Sequence, residues 1–369
     1  MLLLLLLLLL LLLLWLLLLL LLLLWLLLGL LLLLLLHFVI SVRQRHGPAE
    51  CLKNAQGSSG ETFHALLGYL RTHRPRIVLL ENVEEITSET DGNALYLLQE
   101  LKAMCYDTEI VVLKSSDFGS PQRRVRAYII AFHVAGLHQL GARRPAMRAA
   151  ALAAKLTTPK TAVLEFTFAD NSVVLSNERK RLQHLRSKDE DSKPIADSGE
   201  DQLWKSKYQS QLASRELVVS SCIAPAEVRS WPWFNLLSSR MQFVLGHAIS
   251  EKPELTSVDV CQSMGQEFIS QDPAELSTIV PHSNLWIPSL RRSLVGAELL
   301  MLQMMPRKIV EAGIEEGFSH HLMGDLAGNA FTGSVFSAVL IAALVHAPPM
   351  PATVSSAADF DEVASIFDF

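Results

Sequence analysis

The chain has 369 residues, with 32 basic and 37 acidic side chains and a net charge of −5. That balance excludes a globally basic nucleic-acid coat, though not a local basic cleft. Half of the residues are hydrophobic, but residues 1–36 are 32 leucines plus Met1, Trp15, Trp25 and Gly29. Without that tract the fraction is about 45%, the ordinary globular range, which excludes disorder throughout and collagen-like repeats.

As a helix the leucine tract would run about 52 Å, against a hydrocarbon core of about 30 Å. It lacks the basic n-region and small-residue cleavage site of a secretory signal. If it inserted, Arg43, Arg45 and His46 on its C-terminal flank would keep the rest on the cytoplasmic side. Natural spans mix Leu with Val, Ile, Ala, Gly and Phe. A near-homopolymer broken by Trp reads instead as a translated nucleotide repeat, because TTG and TGG differ by one base. Two readings stand: a repeat artefact, or a membrane helix through residues 2–36.

Phe63, Leu66, Leu67 and Leu70 recur at helical spacing, and Pro75 ends that helix. The unbroken run Ile77-Val78-Leu79-Leu80 predicts a buried parallel strand. Leu95, Leu97, Leu98 and Leu101 mark a second helix. Glu109–Leu113 and Val125–Val134 read as strands separated by the loop Ser115–Arg124. This alternation predicts an α/β sheet. Residues 136–156 are Ala/Arg-rich and helical; residues 177–216 are strongly polar, a solvated helix or a disordered insert. Trp231 and Trp233 read as core packing ahead of a base-stacking platform. Helical periodicity returns at Leu294–Met305 and Phe331–Val345, and Pro348, Pro349 and Pro351 close the domain. The expected division is a poly-Leu tract (1–36), a partial catalytic α/β domain (37–134), a variable region (135–275), a return to the catalytic domain (276–348) and an acidic tail (349–369). Cys51, Cys105, Cys222 and Cys261 lie far apart with no CxxC pair, so neither a zinc site of the usual cysteine spacing nor a disulfide framework is expected.

Four blocks carry chemistry. Glu81-Asn82-Val83 follows the first apolar strand directly. A carboxylate there faces the ligand crevice of an open α/β sheet, or else is a capping or loop acid. In Pro121-Gln122-Arg123-Arg124-Val125-Arg126, strand alternation sends Arg124 and Arg126 to one face. Two guanidiniums beside a strand-end Glu suit an anionic or carbonyl-bearing substrate; the alternative is a surface salt-bridge pair. Arg292-Ser293-Leu294…Glu298…Leu302-Gln303…Pro306 is weak in isolation. Gly328-Asn329-Ala330-Phe331 suggests a turn before a helix, its backbone amides able to meet a ligand.

Taken in order, these blocks resemble the DNA cytosine-5 methyltransferase family: its ENV motif, its PQ-x-R-x-R motif, its R-x-L-x-x-x-E…LQ-x-x-P block and its final GNA motif. The resemblance covers residues 41–134 and roughly 276–345, and the segment between sits where that family carries its variable target-recognition region. It implies a Rossmann-like S-adenosylmethionine-dependent methyltransferase fold with an inserted variable region. It also implies S-adenosyl-L-methionine as methyl donor and double-stranded DNA with a flipped cytosine as partner. Glu81 would contact the flipped base and protonate N3, Arg124 would contact O2, and Arg126 would support the site. Asn329 and Ala330 would close the S-adenosylmethionine pocket. No metal is expected.

The chemistry of that family is attack of a Cys thiolate at cytosine C6, methyl transfer to C5, then loss of the C5 proton, on a base taken out of the duplex. Here the sequence departs from the pattern. Counting back from Ser41 reaches Leu36-His37-Phe38 where Pro-Cys-Gln should stand, so His37 occupies the nucleophile's slot. Cys51 lacks the flanking Pro and Gln. The glycine-rich cofactor loop is missing as well, and the expectation is a fold incomplete in its N-terminal half. Three hypotheses follow: an enzyme by descent, impaired as written; a catalytically dead DNA-binding remnant using Arg124, Arg126 and Arg143–Arg148; and a membrane-tethered protein. Nucleus or cytoplasm is the expected location, with the membrane as the alternative if the tract is genuine.

Overall fold

The computed structural model describes residues 57–348 apart from 89–91, 135–143, 193–205, 207, 211–212, 214–223, 263–268 and 273–274. The leucine tract, His37, Cys51, Cys222 and the acidic tail lie outside the described residues. In chain order the elements are α1 (Gly57–His73), β1 (Ile77–Val83), α2 (Asn93–Ala103), β2 (Tyr106–Lys114), β3 (Val125–His133), α3 (Pro145–Ala153) and α4 (Val173–Ser192). There follow α5 (Ala226–Arg229), α6 (Ser239–Glu251), β4 (Ser257–Asp259), β5 (Ile269–Ser270), β6 (Leu285–Ile287), β7 (Arg292–Ser293), α7 (Gly296–Leu302), α8 (Arg307–Glu315), α9 (His320–Asn329) and α10 (Gly333–His346). They form two compact units, one from Met1–Val112, Arg126–Lys155 and Val339–Phe369, the other from Leu113–Val125 and Leu156–Ala338. Among the described residues no single helix is long and apolar enough to cross a membrane.

In the first unit, the α1 stripe Phe63, Leu66, Leu67 and Leu70 is buried, as residues spaced three and four apart on one helix face must be. Arg74 takes a left-handed φ of 45° and Pro75 cannot continue the helix, so the chain turns there into β1. The sheet order is β1-β3-β2, and β1 runs antiparallel to β3, from Ile77 opposite Phe132 to Val83 opposite Arg126. Among the described residues the neighbour of Ile77–Leu80 is therefore antiparallel, where a parallel strand was expected. An unbroken apolar run reports burial on both faces, which β1 has, and says nothing about the direction of the adjacent strand. β3 lies between the other two strands, and Ala127–Phe132 are all buried. Leu97 and Leu101 of α2 join the α1 stripe together with Val78, Leu80, Ala127, Ile129 and Ala131. At the start of α3 the Asp107 carboxylate accepts the Ala146 N–H at 2.9 Å, satisfying one orphan donor at a helix N-terminus where negative charge is favoured.

The second unit holds two apolar clusters. One surrounds α7, buried along its whole length, with Phe168, Leu285, Ile287, Met323 and Ala327. The other joins α6 to the antiparallel sheet β5-β4-β6-β7 through Val244, Leu245, Val258 and Trp286. Trp231 stacks on fully buried Trp286, ring centroids 6.1 Å apart, so it packs as the sequence suggests. The polar stretch from residue 177 begins inside α4, a 20-residue helix.

Close backbone approaches set the geometry around α9. A Cβ on Gly296 would lie 1.8 Å from His320 O, and one on Gly328 2.0 Å from Pro281 N. Each Gly→Ala substitution should cost about 2–3 kcal/mol, because backbone rather than a flexible side chain must yield. Gly68, mid-helix with nothing within 4 Å, is the control. Gly68→Ala should stabilise by up to about 1 kcal/mol. Urea unfolding midpoints measure all three.

Candidate functional site

The end of β1 brings a charged pair into the sheet. Glu81 lies opposite Tyr128, and Val83 opposite Arg126, which makes Glu81 and Arg126 diagonal neighbours on one face. Their side chains meet, Arg126 Nε to Glu81 Oε1, at 3.1 Å. The Glu81 side chain is 3% exposed and that of Arg126 17%. A carboxylate so withdrawn from water needs a cation or donors, and Arg126 holds its orientation. Asn82 is buried on the opposite face and turns its Oδ1 back to accept the Val83 N–H at 2.8 Å.

The loop that precedes β3 belongs to the second unit and is held at nearly every residue. Leu276 N donates to Pro121 O at 2.6 Å and Arg123 N to Leu276 O at 2.8 Å. Thr278 Oγ1 donates to Arg123 O at 2.9 Å. Arg124 comes just before β3, its backbone oxygen accepting from Ser115 N at 2.8 Å. Its side chain is 3% exposed, with Nη1 donating to Ile279 O at 3.3 Å. A guanidinium this deep is withdrawn from the protein surface.

Gln122 is fully buried. Its Nε2 donates to Gln303 Oε1 at 2.9 Å, Leu302 O at 3.2 Å and Ser120 Oγ at 3.1 Å. Gln303 in turn donates to Ala327 O at 2.8 Å and accepts from Thr332 Oγ1 at 3.0 Å. Ser120 Oγ reaches Leu302 O, and Ser115 Oγ meets Thr332 Oγ1, both at 2.7 Å. This network joins the PQ and LQ blocks to Ala327 and Thr332, on either side of the GNA block, through residues to which sequence reasoning gave no role. The signal was the pair of glutamines in PQ and LQ, whose burial no periodicity announces.

Arg292 and Glu298 form a bidentate pair, both contacts 2.8 Å, with 1% and 0% side-chain exposure. Glu298 also accepts the N–H of Val295 at 2.9 Å and of Phe168 at 2.8 Å, closing the N-terminus of α7. Removing one partner strands a buried charge, so Glu298→Gln or Arg292→Met should cost about 3–5 kcal/mol, whereas joint replacement by apolar residues should recover much of it. Thermal unfolding of the singles and the double tests this.

Gly328 and Asn329 end α9, where a turn before a helix was expected. Gly328 is required there by the close Pro281 backbone. Asn329 is exposed, with Nδ2 donating to Asp325 O at 2.9 Å, and Ala330 N donates to Leu326 O at 2.8 Å. The amides of this segment are thus spent on helix closure.

His320 is half-buried and accepts the Ala297 N–H at 3.4 Å. Burial pushes its pKa below the usual value, against the pull of Glu178 and Glu298. Burial lowers His133 and His346 too. A His whose folded pKa is depressed takes up its proton more readily when unfolded, so stability should fall as pH drops through the unfolded value of about 6.5. Denaturant midpoints between pH 7.5 and 5.5 would show this, and His320→Gln should flatten the slope.

A sequence model of the C-5 cytosine-specific DNA methylases matches residues 49–340, a range that includes Glu81, Arg124, Arg126, Asn329 and Ala330. Type II methyltransferase M.MspI of Moraxella sp is 34% identical over 82 residues, 22% of this chain and 20% of that protein. M.NgoBI of Neisseria gonorrhoeae is 36% identical over 78 residues, 21% of this chain and 25% of that one. M.HhaI of Haemophilus parahaemolyticus is 32% identical over 81 residues, 22% and 25% respectively. The chain therefore spans a quarter or less of the length of these curated relatives. Among solved structures, the S. pombe Dnmt2 methyltransferase aligns with a TM-score of 0.38 at 13% identity, over 83% of this chain and 76% of that one.

Proposed function

This chain belongs to the C-5 cytosine-specific DNA methylase family, and on that premise we propose that it carries the base-holding part of an enzyme that methylates C5 of cytosine in DNA. The observation that carries the reading is the buried Glu81–Arg126 pair at 3.1 Å, at the strand end where the family's ENV motif falls. Glu81 contacts N3 of the base, and Arg126 keeps that carboxylate aimed. Arg124, held at Ile279 O, meets the cytosine O2. Because the Glu81 side chain is 3% exposed, a base can reach it only after leaving the duplex. S-adenosyl-L-methionine, when bound, supplies the methyl group, with Asn329 and Ala330 at the edge of its pocket.

The thiolate that such a reaction requires is not provided by His37. The chain should therefore bind the extruded base without transferring methyl groups. Transfer of labelled methyl from S-adenosylmethionine to a cytosine-rich duplex would overturn that part and make Cys51 the next residue to substitute.

Base capture has its own test. A duplex with cytosine opposite an abasic site should bind on the order of tenfold more tightly than the fully paired duplex, since the unstacking cost is smaller. Replacing that cytosine by thymine, or substituting Glu81→Gln, should remove the preference. Equal binding of cytosine and thymine would sink the reading. The common phosphate contribution should fall steeply with salt for every duplex.

A further inference from the structure

A second cluster of chemistry-bearing side chains lies one helical turn before Asn329 on α9. His282, His321 and Asp325 each offer one ligand atom, and these atoms all lie within 4.8 Å of one another. His321 and Asp325 are four apart on α9 and so share a face. His282 comes from the turn Val280-Pro281-His282-Ser283, closed by Ser283 N donating to Val280 O at 3.0 Å. Asp325 Oδ1 is 2.8 Å from His282 Nδ1, and Oδ2 is 3.7 Å from His321 Nδ1.

Two further observations bear on this cluster. His282 sits at φ 64°, directly after Pro281, a turn position that favours glycine; a histidine there holds a left-handed conformation at a cost of about 1–2 kcal/mol. Asp325 Oδ1 is sealed from solvent and accepts no hydrogen bond among the described residues, despite the nearby imidazole. When the imidazole is neutral with its proton on Nε2, Nδ1 and the carboxylate oxygen 2.8 Å away both present lone pairs.

We propose that His282, His321 and Asp325 bind a divalent transition-metal ion, zinc being the best match, with the remaining coordination position open to water. Two imidazoles and a carboxylate are a borderline-soft donor set that suits Zn²⁺ and excludes Mg²⁺ and Ca²⁺, which take oxygen ligands. Tetrahedral ligands about 2.0–2.1 Å from zinc stand about 3.4 Å apart, and the exposed imidazoles reach that spacing by rotating. The ion would pin the turn to α9, at the same place where Gly328 presses on Pro281. Sequence spacing hides the site, because its ligands come from a turn and a helix well separated in the chain.

The test uses the full chain in a non-chelating detergent with Zn²⁺ alone, followed by calorimetry and thermal unfolding. One equivalent should bind, and saturation should raise Tm by about 5 °C. Mg²⁺ should do neither. His321→Ala and Asp325→Asn should each lower the affinity on the order of tenfold or more. His282→Gly should raise the metal-free Tm by relieving the left-handed residue while abolishing the zinc response. That opposite pair of shifts cannot come from misfolding. Zinc binding of equal strength in wild type and all three variants, or no zinc-dependent Tm shift in the wild type, would overturn the proposal. Neither result depends on methyl transfer or DNA binding.

Discussion

Two side-chain amides, Gln122 and Gln303, meet without solvent exposure in the second unit. Gln303 satisfies both of its polar atoms through Ala327, Gln122 and Thr332, and Gln122 Nε2 through Gln303, Leu302 and Ser120, while Gln122 Oε1 is buried without a hydrogen bond among the described residues. A buried amide left unpaired costs roughly 1–3 kcal/mol, so the loop before β3, the end of α7, the end of α9 and Thr332 are held in one arrangement or all lose partners together. The coupling is carried by directed hydrogen bonds, which fix register as apolar contact alone does not. Arg124 inherits its position from this: Leu276 zips onto Pro121 and Arg123, Thr278 grips Arg123 O, and Ile279 O receives the guanidinium.

The Glu81–Arg126 pair depends on a different constraint, the rigidity of a sheet interior. β1 and β3 are paired along seven residues, with β3 flanked on both sides. A carboxylate placed there has little freedom, and the diagonal guanidinium removes most of what remains. The same sheet that makes a carboxylate costly to bury supplies the neighbour that compensates it.

The sequence disclosed elements where burial imposes a period. The α1 stripe, the α2 leucines and the apolar strands were legible for that reason, with boundaries shifted by a few residues. Strand direction was not, because Ile77–Leu80 would be equally apolar beside a parallel or an antiparallel partner. Glu81, Arg124 and Arg126 were legible as charged residues beside buried strands, but not the depth of Arg124, which precedes β3 and is 3% exposed. The Gln122–Gln303 network and the buried Arg292–Glu298 pair were silent, since an uncharged amide or an arginine in one block carries no mark of its partner in another.

Gly328, Asn329 and His282 illustrate how one close contact propagates. The last turn of α9 lies so near the Val280–Pro281 backbone that a Cβ at position 328 would come within 2.0 Å of Pro281 N, so only glycine permits the approach. The chain after Pro281 must then turn sharply to return as β6, and it does so through the left-handed His282. Asn329, one residue beyond the contact, points outward and bonds back to Asp325 O. The missing side chain, the strained histidine and the outward asparagine are thus three consequences of packing one helix end against one turn, which is why a motif that resembles a free loop in sequence is a rigid corner in the fold.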